Sequence, residues 1–594
     1  MNAHSSMGAF MPAAPVSPPK TLTVSRIQLV TLRQKAMELA RQRLLWVTVG
    51  FLFIAVVATL RIGFLGMSDR SVEATSFEES LLPPRGEITD RNGVPLAREF
   101  PAYALWFDPN ALGAGQSPLI KPPAEVAREL KAIFPDLDLA AVTKLLASGK
   151  PGYIRRRVLP EEANRVQDIG ELALEMPQEM DRQYPQGSLA AHVLGYVGAG
   201  GHGHVGMEEV LDKQLRDPAT RGTPQALSID VRVQGALEDE LTRGMRLVSA
   251  KGAGGIVLDV NTGEVLALAS LPEFDPNRID AEGEKNMFNR MTNQVYELGS
   301  TFKPLTVAAA LDAGVVTNMS KRYPAAPLHI GGFTIHDDEN LGASLNVPEM
   351  LIHSSNIVAA QIADEIGPER LKAVMVQLHM NERPYIELPA RGFPIWPSGK
   401  WARIRAMTVG FGHGVAVTPL HLASAYAALV NGGIWRPATL RKLPAGDIPT
   451  GQRVFKPSTS ARIRQLLRMI ALYGTGRSAN APGFRVGGKT GTAEMAGKGG
   501  YRKHSVIATF ASAFPMDNPR YVVLVMLDEP QGTLASSFQR TAAWNAAPIV
   551  GRLVPRIGPM LGVQPDTTRD IDISELKPLI PEAQQPQAKV VDAR

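Results

Sequence analysis

The apolar and polar residues of this chain follow several patterns, and each predicts a different kind of element. Residues 44–60 (LLWVTVGFLFIAVVATL) are 17 residues without a charge, at the short end of what spans a bilayer as a helix. Residues 229–247 place apolar side chains at helical spacing and predict an amphipathic helix. Residues 254–270, 485–492 and 505–528 are apolar and β-rich runs that favour strands.

The predicted strands lie at both ends of the C-terminal half of the chain. Residues 254–270 form two runs around Asn261-Thr-Gly263, the composition of a hairpin. From there to residue 480, helical stretches alternate with loops. We therefore predict an α+β fold, with one antiparallel sheet assembled from both ends of the domain and helices inserted between its strands.

The region before residue 229 has a different pattern. Asn92-Gly93 separates short apolar runs within residues 83–97, and Asn-Gly is a strong hairpin signal. Residues 122–146 have a helical pattern broken by Pro and Gly. Residues 198–203 match G-x-G-x-x-G, but no clear βαβ unit surrounds them, so we expect a Gly-rich surface loop. This region is predicted to be an α+β module without chemistry of its own.

The charges beside the apolar stretch predict how the chain crosses a membrane. Residues 1–43 carry six Lys or Arg residues against a single acid, Glu38. The positive-inside rule keeps this end in the cytoplasm and exports the remainder. A buried helix of a soluble protein and a cleaved signal peptide are the alternatives. No A-x-A-like cleavage site follows the apolar run, which argues against cleavage.

Composition excludes several classes of function. The chain has 594 residues, too many for one compact core, and a net charge of only +6. The sequence contains no basic patch interleaved with aromatic residues, so nothing in it argues for nucleic-acid binding. The absence of cysteine excludes disulfides, thiol chemistry and cysteine-ligated metal sites. We expect no cofactor and no metal, and we expect residues 1–25 and 562–594 to be loose tails.

Three short motifs occur in one order and carry the candidate chemistry. They are Ser300-Thr-Phe-Lys303, Ser354-Ser-Asn356 and Lys489-Thr-Gly-Thr492. Each occurs by chance in long proteins, but together they supply a nucleophile, a proton acceptor, a hydroxyl relay, an amide and a cationic strand. This is the set that an acyl-transfer enzyme with a serine ester intermediate needs.

The spacing within the motifs assigns candidate roles. Ser300 and Lys303 lie one helical turn apart, so a neutral Lys303 could act as base for the Ser300 hydroxyl. Lys489 is the candidate second cation that lowers the pKa of Lys303. Ser354 and Asn356 can face the same cavity, where the serine passes a proton and the asparagine holds Lys303 and the substrate.

The third motif predicts a strand that borders the substrate. Gly491 lets the substrate backbone come close, and Lys489 and Thr490 attract a carboxylate. The backbone N–H groups of Thr492 and Ser300 could form an oxyanion hole, in which one donor is typically worth about 2.7–4 kcal/mol.

These residues resemble those of the class B penicillin-binding proteins, which are peptidoglycan D,D-transpeptidases. The resemblance covers roughly residues 44–555 and includes Arg85-Gly-Glu-Ile-Thr-Asp90-Arg-Asn-Gly93, a motif of the family's non-catalytic region. Gly412-His-Gly414 and Gly487-Gly-Lys-Thr-Gly-Thr-Ala493 are similar to the division-specific (FtsI-like) branch. Two positions depart from the family: Leu298 stands where Pro is usual, and His413 where Tyr is common. We expect His413 to be a packed or hydrogen-bonded loop residue and not a base.

The resemblance implies a substrate, partners and a location. Ser300 would attack the D-Ala-D-Ala bond of a stem peptide, a neighbouring stem amine would resolve the ester, and a β-lactam would leave Ser300 acylated. The implied partners are a SEDS-type septal glycosyltransferase and other divisome membrane proteins. The implied location is the bacterial inner membrane at the division site, with a periplasmic catalytic domain. An elongation-type transpeptidase, a β-lactamase or β-lactam sensor, and a non-catalytic scaffold remain alternatives.

Pattern and resemblance together divide the chain into five predicted segments. These are a cytoplasmic tail (1–43), a membrane anchor (44–65), a non-catalytic pedestal domain (66–228), a transpeptidase domain (229–555) and a C-terminal tail (556–594).

Overall fold

The chain divides into two units, Met1–Leu81 and Leu82–Arg594. The computed structural model describes residues 37, 41–59, 84–111, 119–198, 201–497 and 500–581. In the first unit, helix α1 (Arg41–Thr59) has a mean hydropathy of 1.7 and is long and apolar enough to cross a membrane, judged by length and composition. The remaining part of the predicted anchor, residues 60–65, and the predicted tail at 1–25 lie outside the described residues.

The second unit begins with a mixed sheet in which one long strand pairs with most of the others. Its strands are β1 (Ile88–Thr89), β2 (Pro95–Phe107), β3 (Gly152–Val158), β4 (Leu174–Glu175), β5 (Gln178–Gln183) and β6 (Gln225–Ala226). Strand β2 runs antiparallel to β1, β3, β4 and β5, and β6 pairs parallel to β1. The hairpin predicted at Asn92-Gly93 is confirmed: Asp90 N–H donates to Val94 O at 2.8 Å, and Gly93 has φ +86°.

Short helices cover this first sheet. They are α2 (Pro123–Ile133), α3 (Leu139–Ala147), α4 (Pro160–Gln167), α5 (Ala191–Leu194), α6 (Gly206–Val210) and α7 (Asp212–Arg216). Leu130 of α2 and Phe134, which directly follows α2, pack with Leu105 and Phe107 of β2 in a separate small core. Pro at the first turn starts α2 and α4, where its missing N–H costs nothing.

The C-terminal part contains a five-stranded antiparallel sheet in the order β15-β16-β17-β7-β8. Its strands are β7 (Gly252–Asp259), β8 (Val265–Leu271), β15 (Gly487–Gly497), β16 (Gly500–Phe514) and β17 (Tyr521–Asp528). Small two-stranded pairs lie between them in the chain: β9 (Tyr323–Pro324) with β12 (Ser344–Leu345), β10 (Leu328–Ile330) with β11 (Phe333–Ile335), and β13 (Ile434–Trp435) with β14 (Gln452–Arg453). The predicted sheet from both ends of the domain is confirmed, and β15, which carries the third motif, is an edge strand.

Helices bury both faces of this sheet. The helices of this part are α8 (Val231–Leu247), α9 (Ala281–Asn286), α10 (Lys303–Asp312), α11 (Val347–His353), α12 (Asn356–Ile366), α13 (Pro368–Gln377), α14 (Arg403–Val409), α15 (Pro419–Val430), α16 (Pro457–Tyr473) and α17 (Ala546–Met560), of which α8, α15, α16 and α17 pack directly on the strands. Along β17, Leu524 faces the core of α10, α12, α15 and α16, while its neighbour Val525 faces the core of α8 and α17. Alternation along each strand therefore builds two cores. The amphipathic helix predicted at 229–247 is α8, capped by the side chain of Asp230.

The predicted loose C-terminal tail is wrong for residues 562–581. Helix α17 continues to Met560, and Leu576 and Ile580 beyond it are buried. Asp570 accepts hydrogen bonds from the guanidinium of Arg468 in α16 at 2.6 and 2.9 Å. A few apolar side chains and the ion pairs of Asp570 with Arg468, Arg569 with Asp517 and Glu575 with Arg462 hold this segment although its composition is polar. Residues 582–594 lie outside the described residues.

Candidate active site

Ser300 lies in a 3₁₀ turn (Gly299–Phe302) that runs directly into α10. The backbone N–H of Lys303 donates to Ser300 O, so the predicted spacing of one helical turn is confirmed. Gly299 has φ +55°, a conformation that glycine adopts without strain, and its N–H donates to Gly412 O at 3.2 Å. The Ser300 side chain is partly buried, and its hydroxyl forms no hydrogen bond with any described residue. The direct Ser300–Lys303 contact expected from the sequence is therefore not formed in this state.

Lys303 is fully buried and surrounded by oxygen atoms of the second motif. Its Nζ donates to Asn356 Oδ1 at 2.8 Å, to Ser354 Oγ at 3.1 Å and to the Ser354 carbonyl oxygen. The Asn356 amide is oriented by a second bond, from Nδ2 to His336 O at 3.4 Å. The first two motifs therefore meet at one amine, as predicted.

Lys489 reaches the same hydroxyl from the edge strand β15. Its Nζ lies 2.9 Å from Ser354 Oγ, 3.0 Å from Thr490 O and 3.3 Å from Thr490 Oγ1. Lys489 is also fully buried. All three motifs converge on Ser354 Oγ, which has one buried amine on either side.

Ser354 is held in an unusual conformation at the junction of two helices. It ends α11 with φ +64° and ψ 39°, the left-handed region that non-glycine residues rarely adopt. The next residue, Ser355, caps α12 by accepting from Val358 N–H. The turn between the helices thus directs Ser354 and Asn356 toward Lys303.

Asp337 fixes this turn and was not found from the sequence. Its carboxylate accepts from Ser355 Oγ at 2.6 Å, from Asn356 N–H at 2.5 Å and from Ile357 N–H at 3.1 Å. A carboxylate at a helix N-terminus is favoured by the free N–H groups and the helix dipole. The only sequence signal was an acidic pair, Asp337-Asp338, in a loop with no fixed spacing from the motifs.

Burial lowers the pKa values of both lysines. For Lys303 the pKa falls from 10.5 to about 7, chiefly because burial disfavours the charge, while Asp337 and Asp338 oppose this effect. The pKa of Lys489 falls well below 10.5, through burial and through the neighbouring charge of Lys303. The two lysines are therefore not both positively charged at neutral pH.

The third motif packs closely against the turn that contains Ser300. A Cβ on Gly491 would lie 2.5 Å from Leu298 O, and a Cβ on Gly299 would lie 3.0 Å from Thr492 O. Leu298, the departure from the family pattern, is buried, and its carbonyl accepts from Thr301 Oγ1 at 2.8 Å. Only glycine at 491 permits this approach of strand and turn.

The hydroxyl groups of the strand are held by neighbours that the sequence did not reveal. Thr490 Oγ1 lies 2.6 Å from Thr475 Oγ1, in the turn after α16. Thr492 Oγ1 accepts from Ala542 N–H at 3.1 Å. Tyr426 of α15 is fully buried, and its hydroxyl donates to Thr301 O, in the turn that contains Ser300, at 2.8 Å.

His413 is packed, as predicted, but its Nδ1 lacks a hydrogen-bond partner among the described residues. Its ring centre lies 5.2 Å from that of Phe411 and 6.2 Å from that of Tyr501. Tyr501 in turn donates to Glu297 at 2.8 Å, and the other oxygen of Glu297 accepts from Gly414 N–H. Burial lowers the pKa of His413, so its ring is neutral at neutral pH. No cluster of three or more His, Asp or Glu residues suited to a metal ion occurs in the described ranges.

Comparison with known proteins agrees with this geometry. The chain matches the family model of the penicillin binding protein transpeptidase domain over residues 253–552 and that of the penicillin-binding protein dimerisation domain over residues 80–223. It is 37% identical over 544 residues to the probable peptidoglycan D,D-transpeptidase FtsI of Caulobacter vibrioides, covering 90% of each chain. It is 30% identical over 517 residues to the peptidoglycan D,D-transpeptidase FtsI of Escherichia coli K12, covering 83% of this chain and 86% of that one.

A solved structure has the same architecture. Penicillin binding protein 3 of Mycobacterium tuberculosis, crystallised with aztreonam, superposes with a TM-score of 0.64 at 25% sequence identity. The superposition covers 83% of this chain and 99% of that one. The two matched domains, the three motifs and the identity over most of the chain lead to the same assignment. The chain belongs to the class B penicillin-binding proteins, in the FtsI-like group of peptidoglycan D,D-transpeptidases.

Proposed function

We propose that the protein cross-links peptidoglycan stem peptides through an ester on Ser300 Oγ. The observation that carries this proposal is that Lys303 and Lys489, both fully buried, converge on Ser354 Oγ beside the turn of Ser300. A serine hydroxyl needs a base to become a nucleophile, and a lysine is a base only when its pKa is lowered. Burial supplies that condition here.

The first half-reaction acylates the enzyme. Ser300 Oγ attacks the carbonyl carbon of the penultimate D-Ala, and its proton passes to Lys303. The peptide C–N bond then breaks, and Ser354 returns the proton to the amine of the departing D-Ala. The N–H groups of Ser300 and Thr492 hold the carbonyl oxygen as it becomes negative.

The second half-reaction transfers the acyl group. The amine of a neighbouring stem attacks the ester carbon, the C–O bond breaks, and the proton from that amine returns to Ser300 Oγ. Lys489, Thr490 and Thr492 hold the terminal carboxylate of the donor in the first half-reaction, and Gly491 admits its backbone. A β-lactam carries an equivalent carboxylate and acylates Ser300 in the same way.

Labelled penicillin tests the assignment of Ser300. Trypsin does not cut between Lys303 and Pro304, so the adduct is expected on the peptide Met291–Lys321. Ser300→Ala should carry no label, whereas Ser320→Ala, which removes an exposed serine in the same peptide, should be labelled normally. An adduct on any other peptide would contradict the proposal. Rapid loss of the label would indicate a β-lactamase instead.

The orientation in the membrane is also a proposal: a single-pass inner-membrane protein with its N-terminus in the cytoplasm and its body in the periplasm. It is supported by the charges that precede α1 and by the apolar length of that helix. The chain has no cysteine, so single-cysteine variants can be labelled without background. A membrane-impermeant thiol reagent on intact spheroplasts should label Ala219→Cys, on the exposed surface, and spare Ser17→Cys. The reverse result would invert the topology.

The proposed site of action is the division septum, in a complex with a SEDS-type glycosyltransferase and other divisome membrane proteins. Similarity to relatives named FtsI supports this part. Depletion of the protein should produce filamentous cells. Rounded cells would assign it to the elongation machinery instead.

A further inference from the structure

The second and third motifs lie on elements that are far apart in the chain. Ser354 ends α11, and Lys489 lies on β15, 135 positions later. The hydrogen bond between their side chains, at 2.9 Å, therefore depends on how α11 and β15 are held relative to each other. A displacement of about 1 Å would lengthen this contact beyond hydrogen-bonding distance.

The end of helix α16 contacts both elements. Thr475 Oγ1, just after α16, lies 2.6 Å from Thr490 Oγ1 on β15. The backbone N–H of Thr475 donates to Ile352 O in the last turn of α11 at 3.4 Å. A Cβ on Gly474 would lie 2.7 Å from the same Ile352 oxygen, so the backbones are in close contact. The position of α16 therefore influences both motifs.

The C-terminal segment (residues 563–581) runs along α16 and reaches the beginning of β15 through an arginine. Asp570 accepts from the Arg468 guanidinium at 2.6 and 2.9 Å. The same guanidinium donates to Val486 O, directly before β15, at 2.8 Å. Arg468 is buried, so these partners fix its direction. The carboxylate thus orients the group that holds the backbone three residues before Lys489.

The same segment also reaches the beginning of α11. Leu579 O accepts from Asn346 Nδ2 at 2.7 Å. Asn346 is the N-cap of α11, and its Oδ1 accepts from Glu349 N–H at 2.9 Å. Ile580 is buried in the core that also contains the apolar side chains of α11. The segment is therefore attached to the helix whose other end is Ser354.

We infer that the C-terminal segment positions the active site, with Asp570 acting through Arg468 and Leu579 acting through Asn346. Together these contacts hold β15 and α11 at the separation at which their amine and hydroxyl meet. This inference rests on the proposed function. The match to the transpeptidase domain ends at residue 552, so the segment adds a determinant of the reaction from outside the matched domain.

Replacement of Asp570 tests the contact with β15 in the full chain in detergent. In Asp570→Ala, the rate of ester formation with penicillin, per folded molecule, should fall by about 10- to 100-fold, because a misplacement near 1 Å can cost about 100-fold. Asp570→Glu keeps the carboxylate, and the partly exposed side chain has room for a longer one, so this variant should recover most of the rate.

Glu575 provides the matched control. It lies in the same segment and also pairs with an arginine of α16, Arg462, at 3.0 Å. Arg462 donates in turn to Gln465 of the same helix, whereas Arg468 donates to the backbone before β15. Glu575→Ala should therefore form the ester at the normal rate. A rate loss equal to that of Asp570→Ala would contradict the proposed path through Arg468.

A substitution at Asn346 tests the contact with α11 without the loss of an ion pair. Asn346→Ser keeps an oxygen that can cap the helix but removes the amide that donates to Leu579 O. Ester formation per folded molecule should again fall by about tenfold or more. Urea unfolding of each variant measures stability separately, so that a change in rate is not confused with a change in the folded fraction.

The outcomes separate the two proposals. If Asp570→Ala and Asn346→Ser lower the urea midpoint but form the ester at the normal rate, the segment stabilises the fold without positioning the site, and the inference is overturned. Ser300 would still be the acylated residue in that case. Absence of any adduct on the wild-type peptide that contains Ser300 would instead overturn the proposed function itself.

Discussion

Replacing Lys303 by methionine tests how much the burial of this amine lowers the free energy of unfolding. Its pKa falls from 10.5 in water to about 7 in the fold. At roughly 1.4 kcal/mol per pKa unit, holding the charged form in the folded state costs nearly 5 kcal/mol. The cost is complete below pH 7, where both states are protonated. It disappears as the pH rises toward 10.5, because the unfolded chain then also loses its proton.

The sign of the effect follows from proton binding. Between about pH 7 and about pH 10 the unfolded chain binds the Lys303 proton and the folded chain does not, so stability rises with pH by about 1.4 kcal/mol per unit. Lys303→Met lacks this contribution. The variant also leaves the oxygens of Ser354 and Asn356 without a donor, at about 1–3 kcal/mol each. The net change in the free energy of unfolding near pH 7 is therefore small. The slope of that free energy with pH is the quantity that tests the prediction.

Urea unfolding of the detergent-solubilised chain, followed by tryptophan fluorescence, measures that slope. From about pH 7.5 to about pH 9.5, the unfolding free energy of wild type should increase relative to that of Lys303→Met by about 1.4 kcal/mol per pH unit. Lys442→Met, at an exposed position, should run parallel to wild type. Parallel curves for wild type and Lys303→Met would refute the reasoning, because they would mean that Lys303 keeps its proton throughout.

Three further substitutions probe the groups around the site. Asp337→Asn removes a charge that raises the pKa of Lys303, so the acid limb of the acylation profile should move to lower pH; an unmoved limb would contradict this. Gly491→Ala places a Cβ 2.5 Å from a backbone oxygen, so penicillin acylation should fall at least about tenfold as strand and turn separate; stopped-flow acylation measures it. Tyr426→Phe leaves Thr301 O without its donor and should cost about 1–3 kcal/mol in urea unfolding, and an unchanged midpoint would exclude this role.

The parts of the fold that repeat a local pattern could be predicted from the sequence. Two apolar, β-rich runs around Asn261-Thr-Gly263 identified strands β7 and β8, and helical spacing identified α8. The register of β15 against β16, in which Lys489 pairs with Ala511, has no such local signal. It depends on which side chains fill the cores on the two faces of the sheet, and those come from helices distant in the chain.

The site was predicted only as far as its motifs extend. Asp337, Thr475 and Tyr426 contact motif residues but lie at no fixed spacing from them, so single-sequence reasoning could not connect them. The prediction of a loose C-terminal tail was wrong for a related reason. The composition of residues 562–581 is that of a tail, whereas their position depends on specific contacts such as that of Asp570 with Arg468.

The chemistry of the site depends on burying two amines without giving either a carboxylate partner. No described Asp or Glu forms an ion pair with Lys303 or Lys489, although both are fully buried. Such burial destabilises the fold, and a carboxylate paired with Lys303 would relieve the cost. That carboxylate would also raise the pKa of Lys303 and keep its amine protonated, so that it could not accept the proton of Ser300. The stability lost in the interior is therefore the same free energy that keeps one amine ready to accept a proton, and the cores on both sides of the sheet must offset it.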